Sequence, residues 1–321
     1  MTKNILLIHT GGTISMEEDY VTGEVKPGTR NPLVNEMLSL ENINIIVEEL
    51  FHLPSPHIKT ADMLKIKNAI EHSLNKIDGV VITHGTDTLE ETAYFLDITT
   101  SIDIPIIVTG AMRSSNEIGS DGLYNLLSSI HVASSDDSKN RGVLVVMNDE
   151  IHTAKNVTKT HTSNLATFKS PQYGPIGYVN KRGVIYYHSP KVTPTLSVTK
   201  LNKKVPLLKA YAGIGNEILS YLLSMGIDGL IVEAFGQGNL PPTFAKGLIP
   251  LIEKNIPVVI VSRCFNGIVQ DIYSYEGGGK YLKEKGVIFS NGLNGQKARL
   301  QLMIALETTN DMNELANIFS L

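Results

Sequence analysis

Short, uninterrupted apolar runs recur along this chain with room for about one helix between each pair. Ile5-Leu6-Leu7-Ile8 and Val80-Val81-Ile82 are examples. A run without polar alternation suits a strand buried on both faces of a parallel sheet. The pattern predicts strands at 4–9, 43–50, 79–83, 104–109, 142–147, 207–211, 228–233, 257–261 and 286–289. Helical spacing predicts helices near 31–39, 62–75, 88–99, 121–134, 215–224, 243–254, 278–284, 294–306 and 311–319. Alternation of this kind argues for βαβ units and a parallel sheet flanked by helices. Asp62 before Met63-Leu64-Lys65-Ile66 reads as a helix start, and Thr88 followed by Glu91 as a capping box. Val184-Ile185-Tyr186-Tyr187, after the Asn180-Lys181-Arg182-Gly183 turn, predicts the return strand of a hairpin.

The rhythm breaks once. Ser189 to Ser197 is rich in Pro, Ser and Thr, and the polar Lys200-Leu201-Asn202-Lys203-Lys204 follows. Such a stretch predicts a linker. The expected organisation is a larger N-terminal α/β domain at 1–190 holding most candidate site residues, a linker at 191–206, and a smaller C-terminal α/β domain at 207–321.

Composition narrows the classes. Hydrophobic residues make up 42% and charged residues 19%, as in ordinary globular proteins. A net charge of -4 gives no electrostatic case for a nucleic-acid partner. No apolar stretch approaches the roughly 20 residues a membrane span needs. Cys264 is the single cysteine, so no intrachain disulfide forms. Met1-Thr2-Lys3-Asn4-Ile5 runs straight into a strand-like segment without signal-peptide features. The expected location is therefore the cytoplasm, where the Asn156-Val157-Thr158 sequon is a chance match.

The candidate chemistry gathers after two strands. Thr10-Gly11-Gly12-Thr13 follows the first, and Thr83-His84-Gly85-Thr86-Asp87-Thr88 follows the third. In open α/β sheets ligands bind at the carboxyl ends of strands, so both turns aim at one crevice. Thr13 reads either as a hydroxyl nucleophile or as a turn cap. Hydroxyls attack only when a neighbour activates them. Asp87 reads either as a partner for a substrate ammonium or as an N-cap carboxylate. Tyr20 lies in a polar excursion, Met16 to Val25, that suits a lid or an ordinary surface loop. Lys159 becomes a base only if its surroundings lower its pKa. His9 and His84 read as buried structural histidines. No H-E-x-x-H or Cys/His ligand spacing supports a metal site.

Taken in order, these segments resemble the bacterial asparaginase family. The carriers are Thr10-Gly11-Gly12-Thr13-Ile14, the run His84 to Thr92, Gly110-Ala111-Met112-Arg113, Val157-Thr158-Lys159-Thr160, Ala166-Thr167-Phe168-Lys169-Ser170 and Gly295-Gln296-Lys297-Ala298-Arg299. The resemblance covers nearly the whole chain, and the lack of signal-peptide features makes it look like the cytoplasmic, type I branch. It implies hydrolysis of L-asparagine through a threonine-linked acyl-enzyme, with no metal or organic cofactor. Thr13 matches the favoured nucleophile, and Tyr20 the lid tyrosine that helps activate it. Lys159 would hold and polarise Thr86, while Asp87 binds the substrate α-amino group. Thr86 would assist or position the deacylating water. Thr60, in Lys59-Thr60-Ala61-Asp62-Met63, would bind the α-carboxylate. Asn239 resembles a polar residue lent by a neighbouring subunit, and Glu276 an acid from that neighbour that meets the α-amino group. A homodimer or homotetramer follows. An L-glutaminase or mixed asparaginase-glutaminase is the near alternative, and a non-catalytic amino-acid sensor the alternative from another class.

Overall fold

The computed structural model describes residues 2–27, 40–191, 194–290 and 292–320. The helix expected at 31–39 lies outside the described residues. The chain forms two compact units, Met1–Thr195 and Leu196–Leu321.

The first unit is built on an eight-stranded sheet. Its strands in chain order are β1 (Lys3–His9), β4 (Ile43–Glu49), β5 (Gly79–Thr83), β6 (Ile106–Thr109), β7 (Val143–Met147), β8 (Glu150–Thr153), β11 (Gly177–Asn180) and β12 (Gly183–Tyr186). Two small hairpins supply β2 (Met16–Glu18) with β3 (Val25–Pro27), and β9 (Thr158–Lys159) with β10 (Phe168–Lys169). Helices α1 (Thr60–Ser73), α2 (Leu89–Thr99) and α3 (Gly122–Ser134) complete the unit. The sheet order is β12-β11-β8-β7-β6-β5-β1-β4.

The apolar runs fall where double burial requires them. β5, β6 and β7 are buried along their whole length. On one face Ile5, Leu7, Val81, Ile107 and Leu144 pack with Leu126 and Ile130 of α3. The alternate residues Leu6, Ile8, Val80 and Ile82 point the other way and are equally buried.

The sheet is mixed rather than parallel throughout. β4, β1, β5, β6 and β7 run parallel, but β7–β8, β8–β11 and β11–β12 pair antiparallel. The change occurs at a two-residue turn, where Asn148 and Asp149 both hold positive φ, 50° and 65°. Such a turn lets a strand double back at once. Asn-Asp is a less obvious turn signal than Asn-Gly, and the short polar β8 carries no apolar run.

The second unit has a four-stranded parallel sheet, β13 (Leu207–Lys209), β14 (Leu230–Ala234), β15 (Val258–Ser262) and β16 (Ile288–Phe289), in chain order. Helices α4 (Glu217–Ser224), α5 (Pro242–Glu253), α6 (Gly279–Glu284), α7 (Gly295–Ala305) and α8 (Met312–Ser320) surround it. Val232 and Ile260 pack with Phe244 and Leu248 of α5 on one face. Ile231 and Val259 pack with Leu302 of α7 and Phe319 of α8 on the other.

Two helix starts differ from expectation. α1 begins at Thr60, and Asp62 sits in its first turn, where its carboxylate accepts Lys59 N at 3.1 Å. The Thr88–Glu91 capping box does not form. Thr88 Oγ1 instead donates to Ser55 O at 2.8 Å, because a turn from the β4 side packs against this helix start.

Candidate functional site

β1 and β5 are neighbours, paired in parallel with His9 opposite Thr83. Their glycine turns therefore leave the sheet side by side. Thr10 binds Thr83 O with both its N (3.1 Å) and its Oγ1 (2.8 Å). Gly11 and Gly12 hold φ of 102° and 86°, values that L side chains rarely adopt. A Cβ on Gly12 would lie 2.3 Å from Gly85 Cα, so the two turns touch backbone to backbone. Thr13 directly follows Gly12 and Thr86 directly follows Gly85.

Thr13 opens a tight turn closed by Ser15, whose N and Oγ both donate to Gly12 O at 3.0 Å. Thr13 is half-buried, and its hydroxyl makes no hydrogen bond among the described residues. Thr86 is buried, and Lys159 Nζ donates to its Oγ1 at 3.0 Å. The same ammonium lies 2.7 Å from Asp87 Oδ1, with Lys159 16% exposed and Asp87 59% exposed. One cation thus bridges a buried hydroxyl and a carboxylate open to solvent.

The histidines are framework. His84 Nδ1 faces Gly85 O at 2.8 Å and so carries the proton, leaving Nε2 to accept from Thr92 Oγ1 at 2.9 Å. Burial pushes His84 down to about 4, against the milder upward pull of its Gly85 bond. Burial and the nearby His52 lower His9 to about 4 as well. Both are neutral near pH 7. His9 Nδ1 meets Thr83 Oγ1 at 2.7 Å and stiffens the strand pair.

The remaining expected residues are placed as follows. Tyr20 is 78% exposed, and its hydroxyl donates to Asn116 O at 3.0 Å rather than to Thr13. Thr60 is the first residue of α1, and its hydroxyl makes no hydrogen bond to the threonine turns among the described residues. In the second unit, Asn239 Oδ1 accepts Gly279 N at 3.3 Å, and Glu276 Oε1 pairs with Lys246 Nζ at 2.8 Å.

Three residues beside the turns escaped the sequence reading. Ser55 is buried, accepts Asp87 N on its Oγ at 3.1 Å, and packs its Cβ against Gly85. Its signal was a serine flanked by Pro54 and Pro56 just past the end of β4, the strand next to β1. Glu90 is buried and accepts Thr158 Oγ1 at 3.0 Å and Lys159 N at 3.4 Å. It ties the helix start after Asp87 to the strand that presents Lys159. Asn116 binds the backbone of Glu18. Nothing local in sequence marks the last two.

A mixed-sheet α/β unit with paired threonine turns at neighbouring strand ends, followed by a four-stranded parallel α/β unit, defines the class. The family model described as "Asparaginase, N-terminal" matches residues 4–192, and "Glutaminase/Asparaginase C-terminal domain" matches residues 204–319. The chain belongs to the asparaginase family. It is 38% identical to the Deinococcus radiodurans protein named "Probable L-asparaginase", over 98% of this chain and 97% of that one. It is 37% identical to "L-asparaginase 2" of Escherichia coli K12, over 99% of this chain and 92% of that one. Among solved structures, that of "Probable Cytoplasmic L-asparaginase" from Campylobacter jejuni superposes with a TM-score of 0.89 at 32% identity, covering 99% of both chains.

Proposed function

We propose that this protein hydrolyses L-asparagine to L-aspartate and ammonia. The observation that carries the reading is the contact of Gly12 with Gly85, which holds Thr13 and a lysine-bonded Thr86 on adjoining turns. In the proposed reaction Thr13 Oγ attacks the side-chain amide carbon. Its proton passes to the leaving nitrogen, ammonia departs, and an aspartyl ester remains on Thr13. Water then cleaves that ester and restores the hydroxyl. Lys159 keeps Thr86 polarised and Asp87 oriented, so that Thr86 positions the water and Asp87 receives the substrate ammonium. Fixing both ends of the substrate lowers the entropic barrier to attack. Ser55, bonded to the Asp87 amide, lies nearer this turn in the hydrogen-bond network than Thr60 does and is the better placed hydroxyl for the substrate carboxylate. Tyr20 would assist Thr13 from the hairpin that leads out of the Thr13 turn.

Glutamine is the competing substrate, because one methylene discriminates by only about 1–3 kcal/mol. The deciding experiment is ammonia release from L-asparagine and L-glutamine across a concentration series. No release from millimolar L-asparagine overturns the proposal, and binding of asparagine without release assigns a sensor instead.

The proposal extends to location and assembly. A cytoplasmic enzyme is supported by the name of the superposed Campylobacter jejuni protein. A homodimer or homotetramer, in which Asn239 and Glu276 serve a neighbouring subunit, is supported by exposed Phe265, Ile268, Ile272, Tyr273 and Tyr275 in one segment of the second unit. Light scattering checks it, and a monomer at micromolar concentration overturns it. A linker at 191–206 is supported by the gap between the two family matches, which end at 192 and resume at 204.

A further inference from the structure

We propose that Asn116 is the positioning residue that latches the lid hairpin 16–27, and with it Tyr20, beside the Thr13 turn. The proposal rests on the amidohydrolase reading above for its kinetic consequence, but not for the latch itself. β2 and β3 are three residues each and, among the described residues, pair only with one another, Glu17 opposite Lys26 and Glu18 opposite Val25. A lone two-stranded hairpin of this size is marginal in water. Its turn is closed locally, by Asp19 Oδ1 accepting Val21 N at 2.8 Å and Thr22 N at 3.1 Å. Its outer edge needs support from elsewhere.

That support comes from the loop after β6. Ser115 donates to Met16 O from both N (3.0 Å) and Oγ (2.9 Å). Asn116 Oδ1 accepts Glu18 N at 2.8 Å while Asn116 Nδ2 donates to Glu18 O at 2.8 Å. A carboxamide has the donor and acceptor of a peptide group. One side chain therefore satisfies Glu18 on the free edge of β2 as a third strand would. The main chain of the same residue holds Tyr20, through the 3.0 Å bond from its hydroxyl to Asn116 O. The loop itself is braced, since Asp121 accepts Met112 N and Arg113 N at 3.1 Å. The hairpin follows Ser15 without a break, so the latch controls chain that begins three residues past Thr13.

No smaller or singly functional side chain reproduces this pairing. Aspartate keeps the shape and the acceptor for Glu18 N, but sets a carboxylate oxygen against Glu18 O. The test uses the full chain with Asn116→Ala and the isosteric Asn116→Asp, measured by amide hydrogen exchange and steady-state ammonia release. Exchange across 16–24 is expected to rise about tenfold in both variants, with the strands of the sheet unchanged. Misplacing the hairpin is expected to lower kcat about tenfold while KM moves less than about twofold, because Thr86, Asp87 and Ser55 are untouched. General damage to the fold would move both constants and the exchange of β1 and β5. Unchanged exchange at 16–24 overturns the latch. Faster exchange there with unchanged kcat overturns its role in turnover. If Asn116→Ala does not fold, Asn116→Asp decides by the same readings. Wild-type protein that releases no ammonia overturns the functional reading alone, and the exchange experiment still decides the latch.

Discussion

Gly12 and Gly85, 73 positions apart in the chain, touch so closely that the first turn has no space for a side chain at the contact: a Cβ on Gly12 would meet Gly85 Cα at 2.3 Å and Gly85 N at 2.4 Å. Parallel pairing of β1 with β5 brings the strand ends level, and the bare Gly12 lets the turns close the remaining gap, while the bare Gly85 makes room for Ser55. Gly12→Ala adds this collision to a φ of 86°. Expected are a loss of about 2 kcal/mol or more in stability and a loss of turnover beyond that of the unfolded fraction. Urea unfolding alongside ammonia release measures both.

Thr13→Ala removes the proposed nucleophile from a half-buried position where its hydroxyl makes no hydrogen bond among the described residues, so the fold is expected to persist. Turnover is expected to fall roughly 10⁴-fold or more, as when a hydroxyl nucleophile is deleted elsewhere. Aspartate binding, followed by calorimetry, is expected to survive. Appreciable activity in this variant would move the attack to Thr86.

Lys159→Met leaves Thr86 without its 3.0 Å donor and Asp87 without its 2.7 Å partner. The expected fall in kcat/KM is about 10²–10⁴-fold, the range for loss of a positioned proton-handling group. Lys159→Arg is not expected to rescue, since a planar guanidinium cannot repeat the two contacts of one ammonium. Full rescue would reduce the role of Lys159 to bulk positive charge.

Much of this was legible in the sequence, and the legible part has a common cause. Strands β1, β5, β6 and β7 are buried on both faces and so write themselves as apolar runs. Thr13, Thr86 and Asp87 follow such runs directly. Lys159 sits on a two-residue strand and reaches Thr86 from 73 residues away, so only family likeness points to it. Ser55, Glu90 and Asn116 act through hydrogen bonds to distant backbone and side-chain groups. Asn116 and Glu18 are 98 residues apart, and no local periodicity encodes that meeting. The β11–β12 hairpin was read from its turn, but the reversal of the sheet at β8 was hidden for a related reason. β8 is short and partly polar, and its direction is set by two positive-φ residues, Asn148 and Asp149.

Stability is expected to depend on pH through His9 and His84. Each sits at about 4 in the fold, below its ordinary 6.5. Between those values the unfolded chain binds more protons, so stability rises with pH. The contribution is fully present above about pH 6.5 and is lost as pH falls towards 4, by about 3 kcal/mol per histidine at most. Urea midpoints at pH 7 and 4.5 are expected to differ less in His9→Gln than in the wild type. An equal pH dependence in the two proteins would remove His9 from this account.

The placement of β1 and β5 inside an eight-stranded sheet gives the threonine turns a thermodynamic address. Interior strands covered on both faces open only when the surrounding unit opens. A small molecule held by these turns is thus held by the most cooperative part of the unit, not by a fraying margin. Its binding energy is added to that of the first unit as a whole. The melting temperature becomes a ligand sensor, and heat-driven loss of the threonine turns tracks cooperative unfolding of that unit.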